Sequence, residues 1–389
     1  MKILLVIEDL RTGGAQTFVL RLAQALYNAG HAVTLYSHYA HYTNVDLVRQ
    51  LAPDVPVIAF GTDGVLVDKA LRKVDGLRRR LGMRASWRDA KLIQHMRQTI
   101  RQLRPDVVNS HTIKADYVAA KALQGTGIPL FITMHGCYEL FLHKADAPEV
   151  TPKGNYALQH AAGVVYLTDK NLEIFQQPGV RALETLPHQK IYNGFDGQFS
   201  VEKPQHTRQK LGIPTDAVVA GMVARGIPEK GWQHAIIACD YLTGLQAQYP
   251  HPRLHFTGFS RNPIDWVDLF DIGLLPSYFH AESLPNSIAE YLSCGKPVIA
   301  SRIGEVPAML ETEQGLAGVI LDQANWQLTD PTQLTEALRA YLVDPARLQH
   351  HSQVARLAFE KFRMDRCVAA YLRFYQQADQ VAAIAVAAG

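Results

Sequence analysis

Cysteine is scarce in this 389-residue chain: Cys137, Cys239, Cys294 and Cys367 are the only four, and no two form a CxxC pair. This argues against a disulfide framework or a cysteine zinc site and fits a reducing compartment. Long apolar runs are missing too. No stretch approaches the about 20 residues of a membrane-spanning helix. The apolar start MKILLVIEDL breaks at Glu8-Asp9, too early for a signal-peptide core, and reads as a first buried strand. One-sided charge is absent: 39 Lys+Arg against 36 Asp+Glu give a formal +3. That gives no support for nucleic acid as a partner. Also absent are GxGxxG, a Walker A loop (CGKP at 294–297 has Pro where Ser or Thr belongs) and any Asp-x-Asp triplet. No dinucleotide fingerprint and no bound divalent metal is therefore implied.

What is present is an ordinary globular composition, 48% hydrophobic and 19% charged, in a chain long enough for two or three domains. Short apolar runs alternate with longer amphipathic segments. KILLVIE (2–8), HAVTLYS (31–37), PDVVNSH (105–111), PLFITMH (129–135) and GVVYLT (163–168) predict strands. Residues 13–30 predict a helix with Phe18, Leu22, Ala25 and Leu26 on one face. The second half repeats the scheme. AVVAGMV (217–223), RLHFTGF (253–259), DIGLLPS (271–277) and PVIAS (297–301) predict strands, with helices after Lys230 and over 286–294. Nearly continuous apolar strands separated by helices mean parallel sheets covered on both faces. Two such blocks predict two doubly wound α/β domains, 1–195 and 196–365, joined near KIYNGFDGQF (190–199). Ligands of such sheets sit at the carboxyl ends of strands, so the expected site is a cleft between the two domains.

The stretch HAESLPNSIAEYLSCGKPVIAS (280–301) is the most informative. Ser283 predicts an N-cap, Pro285 fits a first turn, Gly295 suits the position just past the helix and Pro297 stops it. Glu290 then lies about two turns inside, roughly 10–12 Å from Glu282. Paired glycosidase carboxylates stand ~5 Å or ~6.5–9.5 Å apart, so these two do not flank one scissile bond. Carboxylates accept from sugar hydroxyls, and helix-start amides suit phosphate. A ligand with hydroxylated groups on both sides of a diphosphate fits; two solvated glutamates beside a helix start explain the spacing equally well. In VARGIPEKGWQHAI (223–236), Arg225 and Lys230 can grip a diphosphate. Taken alone, the loop reads better as a solvated basic turn. Gly13-Gly14 in LRTGGAQ (10–16) allow close backbone approach to an anion or sugar, a weak signal by itself. His135 and His111 each end a strand, as a sugar contact or as a satisfied structural histidine, and His111 is the weaker candidate. Lys69, Arg72, Lys73, Arg78, Arg79, Arg80, Arg84, Arg88, Lys91, Arg97, Arg101 and Arg104 face only Asp75 and Asp89 as acids. Leu77, Leu81, Met83, Trp87 and Leu92 are interleaved. This strip reads as a solvated helical face, with an anionic membrane or a phosphorylated acceptor as the alternative.

Together these motifs resemble the retaining glycosyltransferases of family 4 (glycosyltransferase group 1), over most of the chain. GGAQTFVLRLAQAL, MHG (134–136), NGFD (193–196), VARGIPEKGW (223–232) and LPSYFHAESLPNSIAEYLSCGKPVIAS (275–301) follow in the family's order, the last being its E-x7-E region. FRMDRCVAAYLRFYQQA (362–378) is similar to the helix that crosses back onto the N-terminal domain, assigning 366–389 that role. The resemblance implies the GT-B fold, two Rossmann-like domains facing across a cleft, with acceptor selection in the first and donor binding in the second. It implies that Arg225 and Lys230 grip the donor diphosphate, Glu282 meets donor sugar hydroxyls and Glu290 the nucleotide ribose. The backbone at Leu284, Pro285, Asn286 and Ser287, with Ser283, supports sugar and phosphates. His135 lies beside the reacting centre, and Gly13 and Gly14 line the donor or acceptor side. There are departures. Only LTGLQAQYPHP (242–252) stands where a strand and glycine-rich loop are usual, Gly304-Glu305 replaces Gly-Gly, and Tyr291 replaces Ala.

The expected function is metal-free transfer of a sugar, with retention, from a nucleoside diphosphate sugar to a glycan or lipid-linked acceptor. The expected setting is cell-surface polysaccharide or glycolipid synthesis, in the cytoplasm or peripherally at the inner face of the membrane. A nucleotide-sugar hydrolase or epimerase and a degenerate binding or scaffold protein are the competing readings.

Overall fold

The computed structural model describes residues 1–61, 65–80, 86–136, 147–196, 208–235, 255–258, 260, 263–280, 282–325, 327–328 and 332–387. The chain forms two compact units, Met1–Gly194 with Met364–Gly389, and Phe195–Arg363.

Unit 1 is built on seven parallel strands: β1 (Lys2–Ile7), β2 (Ala32–Ser37), β3 (Val57–Ala59), β4 (Val107–His111), β5 (Leu130–Met134), β6 (Gly163–Tyr166) and β7 (His188–Lys190). Their order is β3-β2-β1-β4-β5-β6-β7. The helices between them are α1 (Gly14–Asn28), α2 (Val45–Leu51), α3 (Val65–Arg80), α4 (Trp87–Leu103), α5 (Ile113–Leu123) and α6 (Ala147–Gln159). Side chains alternate across a strand, so each apolar run feeds two cores. Leu5, Ile7 and Leu35 pack with Phe18, Leu22 and Leu26 of α1 and with Tyr371, Phe374 and Tyr375 of the C-terminal helix Met364–Ala387. Leu4, Val6, Val108 and Ile132 pack on the opposite face with Leu92, Met96 and Ile100 of α4 and with α5. Strand order reverses between β1 and β4, which makes their carboxyl ends the switch point where ligands of such sheets bind.

Unit 2 carries β8 (Ala220–Gly221), α7 (Trp232–Ala235), α8 (Ile264–Val267), β9 (Ile272–Leu275), α9 (Asn286–Ser293), β10 (Val298–Ser301), α10 (Val306–Leu310), β11 (Gly318–Leu321), α11 (Thr332–Val343) and α12 (Pro345–Phe359). Its parallel sheet runs β11-β10-β9-β8 among the described residues, apart from two small hairpins.

Several expectations change. AVVAGMV pairs only at Ala220–Gly221. Residues 255–258 of RLHFTGF form no strand. The connection 242–252, Cys137 and Cys239 lie outside the described residues, as does any continuation of α7. β3, β7 and β11 escaped sequence reading because the first two are three-residue strands and β11 opens on glycine. The described residues within 69–104 belong to two helices, α3 and α4. Arg88 lies over the Tyr39 ring at 4.3 Å, and Arg97 donates to the Lys121 carbonyl at 2.9 Å. Exposed apolar side chains remain on this pair, Leu77 at 60% and Trp87 at 53%. The side chains of Arg72 and Arg78–Arg80, and all of 81–85, are outside the described set.

Candidate active site

In unit 2 the chain leaves β8 and forms a pinned loop. Val223 N–H donates to the Tyr291 hydroxyl at 2.6 Å, and Ile227 N–H and Trp232 Nε1 both donate to the Arg225 carbonyl, at 2.8 and 2.7 Å. A single 3-10 turn, Pro228–Lys230, follows and ends at Gly231 in the left-handed region, φ +80. The Glu229 carbonyl accepts from Tyr278 N–H at 2.8 Å and from the Ser277 hydroxyl at 3.2 Å, tying the loop to the end of β9. The result sets Lys230, 7% exposed, against Glu282, 9% exposed, in a buried ion pair through Oε2. The Ser277 hydroxyl lies 3.1 Å from the same oxygen. Arg225 is exposed, its guanidinium 5.3 Å from the centre of the Phe279 ring, and Lys230 Nζ lies 5.1 Å from that centre. Phe279 is thus a shared cation platform. Among the described residues the Arg225 guanidinium has no hydrogen-bond or ion-pair partner, and Glu282 Oε1 accepts nothing.

The segment after Glu282 departs from the expected cap. α9 starts at Asn286, with Pro285 in the N-cap position and no side-chain cap. Ser283 is not the N-cap. Its carbonyl accepts from Glu305 N–H at 2.9 Å, and its buried hydroxyl has no partner among the described residues. Glu290 is half-buried at the fifth helical position, nearer one turn than two from the start. Leu284 and Pro285 are buried, Asn286 and Ser287 half-buried. The helix ends as expected: Gly295 has φ +65, and Gly295 and Lys296 N–H donate to the Leu292 and Tyr291 carbonyls, a Schellman motif.

Two of the departures from the family pattern have physical reasons. A Cβ at Gly304 (φ +52) would stand 2.6 Å from the Glu282 and Ser283 carbonyl oxygens, so the glycine is needed there. Glu305, φ −85, has ordinary backbone and tolerates a side chain. Tyr291 fits because Gly273 leaves room: a Cβ there would meet its ring at 2.4 Å. The hydroxyl takes Val223 N–H and lies 3.3 Å from the Leu274 carbonyl. Tyr291 thereby fastens the base of the Arg225–Lys230 loop to α9. Removing the hydroxyl in Tyr291→Phe leaves Val223 N–H unpaired and is expected to cost about 1–3 kcal/mol. The denaturation midpoint checks this; an unchanged midpoint contradicts the assignment.

In unit 1, Gly13 is the extended N-cap of α1 (φ −175), a conformation open to any residue, and Gly14 is the first helical residue. A Cβ on Gly13 would meet the Gln16 Oε1 at 2.3 Å, and the Gln16 amide donates to Asp9 at 3.1 Å. Across β4 and β5, His111 Nδ1 and His135 Nε2 lie 2.9 Å apart in stacked rings. Phe18 meets His135 edge-on at 5.5 Å. His135 is half-buried and His111 fully buried. Burial pushes the His135 pKa down to about 4 and that of His111 well below its ordinary value. Both rings are therefore neutral near pH 7, and His135 acts as a hydrogen-bonding group rather than a cation. Unfolded histidines titrate near ~6.5. As pH falls below that value the unfolded chain takes up protons that the folded chain refuses, so stability drops between about 6.5 and about 4. Melting temperature against pH tests this slope, which His135→Gln should flatten. Among the described residues no group of three His, Cys, Asp or Glu side chains could hold a metal ion.

The model of Glycosyltransferase Family 4 matches residues 12–196, and that of Glycosyl transferases group 1 matches 217–344. The 2-deoxystreptamine glucosyltransferase of Streptomyces kanamyceticus is 23% identical over 365 residues, covering 79% of this chain and 92% of its own length. Among solved structures, Anabaena HepE in complex with UDP superposes with a TM-score of 0.74 at 20% identity, covering 97% of this chain and 100% of that one. Sucrose-phosphate synthase from Thermosynechococcus elongatus does so with a TM-score of 0.75 at 16% identity, covering 98% and 100%. The chain belongs to the family 4, group 1 glycosyltransferases and has their two-domain GT-B fold.

Proposed function

We propose that this protein transfers a sugar, with retention, from a nucleoside diphosphate sugar to a hydroxyl of a glycan or lipid-linked acceptor. The observation that carries the reading is the buried Lys230–Glu282 pair beside exposed Arg225, with Phe279 under both cations. A buried ion pair is a poor device for stability alone, because desolvation offsets most of its attraction. It is a good device for a ligand that supplies both charges and hydroxyls. When a diphosphate arrives, Lys230 and Arg225 take its oxygens, and Glu282 turns to the sugar hydroxyls. The first amides of α9 at Asn286 and Ser287 add donors and a positive dipole end. Glu290, farther along the same helix, takes the ribose.

In the reaction the anomeric carbon–phosphate oxygen bond breaks and the bond to the acceptor oxygen forms on the same face. The acceptor proton passes to the departing phosphate oxygen. Arg225, Lys230 and the helix amides stabilise the charge that develops on that phosphate. No divalent ion is assigned a part, so a chelator is expected to leave turnover unchanged. His135 contributes a neutral imidazole to sugar or acceptor. The UDP complex of HepE makes uridine diphosphate sugars the first donors to test. The exposed Leu77 and Trp87 beside Lys69, Lys73 and Lys91 fit peripheral attachment to an anionic inner membrane face, consistent with a cytoplasmic role in surface polysaccharide or glycolipid synthesis.

A donor screen read by release of nucleoside diphosphate, run with and without acceptors, tests the proposal. Acceptor-dependent release with an α-linked product from an α-linked donor supports it. Release that no acceptor accelerates identifies a hydrolase instead.

A further inference from the structure

The sheet of unit 2 is irregular at the point where the Arg225–Lys230 loop leaves it. β8 and β9 run in register, with Ala220 opposite Ile272 and Gly221 opposite Gly273. In a parallel pair a bonded residue donates to the residue before its opposite number and accepts from the one after it. The next rung would therefore run from Val223 N–H to the Leu274 carbonyl. Instead the Tyr291 hydroxyl stands between the two. It accepts from Val223 N–H at 2.6 Å and donates to the Leu274 carbonyl at 3.3 Å. A side chain of α9 thus supplies one rung of the sheet. The rung after it cannot form at all, because its donor on β9 would be Pro276, which has no N–H.

The sequence makes room for this arrangement. Gly221 and Gly273 are opposite each other, and a Cβ on either would collide with a ring, Phe270 at 2.1 Å and Tyr291 at 2.4 Å. Burial pushes the Tyr291 phenol pKa well above its ordinary value. The hydroxyl therefore keeps its proton and can donate to Leu274 while it accepts from Val223. The same helix carries other groups of the donor site. Glu290 directly precedes Tyr291, and Ser287, one turn earlier, places its hydroxyl near the phenol. The far end of the loop is held separately, by the Glu229 carbonyl with Tyr278 N–H and the Ser277 hydroxyl. Arg225 lies between these two moorings, close after the rung at Val223.

We propose that Tyr291 is a positioning residue of the donor site: its hydroxyl, inserted between β8 and β9, holds the start of the Arg225–Lys230 loop off β9 and locks it to α9. Arg225 and the first amides of α9 then close on one diphosphate at a fixed spacing. This role rests on the donor reading of the site and names what sets its geometry. A small residue at 291 lets Val223 reach Leu274 directly, draws the loop toward β9 and carries Arg225 out of line. Small misplacements of a gripping group are costly even when their source lies away from the chemistry.

Hydrogen exchange at the Val223 amide, followed by NMR in the full chain, tests the rung, and calorimetric titration of uridine diphosphate tests the positioning role. Two forms are compared with the wild type. Tyr291→Phe keeps the ring between the strands and removes the hydroxyl. Tyr291→Ala with Gly273→Val removes the wedge and refills its space. Val223 is expected to exchange slowly in the wild type, about tenfold or more faster in Tyr291→Phe, and slowly again in the double variant, where it meets Leu274. Uridine diphosphate should bind about tenfold or more weakly to both forms than to the wild type. Adding Arg225→Ala to Tyr291→Phe should then cost far less affinity than Arg225→Ala costs the wild type, because the hydroxyl acts through Arg225. A tyrosine that only stabilises unit 2 gives additive losses instead. Additive losses, unchanged affinity in Tyr291→Phe, or Val223 exchange that ignores that substitution each overturn the proposal. Where Tyr291→Phe does not fold, the double variant, which leaves Val223 N–H paired, is combined with Arg225→Ala and read in the same way. A wild type that binds no uridine diphosphate while Val223 responds as expected overturns the donor reading and the positioning role with it, leaving a purely structural rung.

Discussion

Replacing Lys230 with methionine is expected to lower kcat by about 10²–10³-fold, the usual cost of removing one group aimed at developing charge. Methionine keeps most of the stem and removes only the ammonium. The same change leaves Glu282 buried without its cation, and breaking a buried pair from one side costs about 3–5 kcal/mol. Loss of activity and loss of stability therefore coincide in the single variant and have to be separated. The double variant Lys230→Met with Glu282→Gln does so. It removes both charges, regains much of the stability and stays inactive, because the diphosphate still lacks its cation and the sugar its carboxylate. Denaturant titration and steady-state turnover on the same samples check this. A double variant that recovers turnover along with stability would show that the pair only holds the fold.

The second large effect is expected at Gly231. A Cβ there would stand 2.0 Å from the Pro276 carbonyl oxygen, with φ +80 already unfavourable for any side chain. Left-handed backbone costs about 1–2 kcal/mol and a forced core contact about 1–3 kcal/mol. Gly231→Ala should therefore destabilise unit 2 by roughly 2–5 kcal/mol on those principles. It should also spoil turnover in the molecules that remain folded. Pro276 immediately precedes Ser277, and Gly231 follows Lys230, so relief of the clash separates the groups that meet at Glu282 Oε2. Gly212→Ala is the control. Its φ is +67 but no atom lies within 4 Å of the added carbon, so only the backbone strain is felt. Equal midpoints for the two variants would mean that the contact with Pro276 is relieved without consequence.

The sequence carried five of the seven strands of unit 1 because each of those five is a run of alternately inward residues serving two cores, as in KILLVI and LFITM. It carried the end of α9 because Gly295 and Pro297 act locally. It failed where a long-range contact overrides a local rule. Ser283 looks like an N-cap, yet its carbonyl is taken by Glu305, and the helix begins at Asn286. AVVAGMV looks like a seven-residue strand, but the backbone leaves the ladder early: Val223 N–H goes to the Tyr291 hydroxyl instead of a neighbouring strand.

The candidate site was legible as a set of residue types and not as a set of contacts. Arg225, Lys230 and Glu282 could be named from the loops they occupy. That Lys230 and Glu282, 52 positions apart, form a buried pair could not. Phe279 carries no sequence signal as a platform, because an aromatic beside a strand end is usually core. His111 was the weaker of two histidines on spacing alone. Its partnership with His135 follows from β4 and β5 being neighbours, and two strands each ending in histidine were the clue available.

The central claim is that Arg225 and Lys230 bind the diphosphate of the donor. Isothermal titration of uridine diphosphate into the wild-type chain, Arg225→Ala and Lys230→Met tests it directly. Saturable binding by the wild type, weakened about tenfold or more in each variant as the loss of a charge-assisted hydrogen bond requires, is the predicted result. Wild-type affinity in both variants would contradict it.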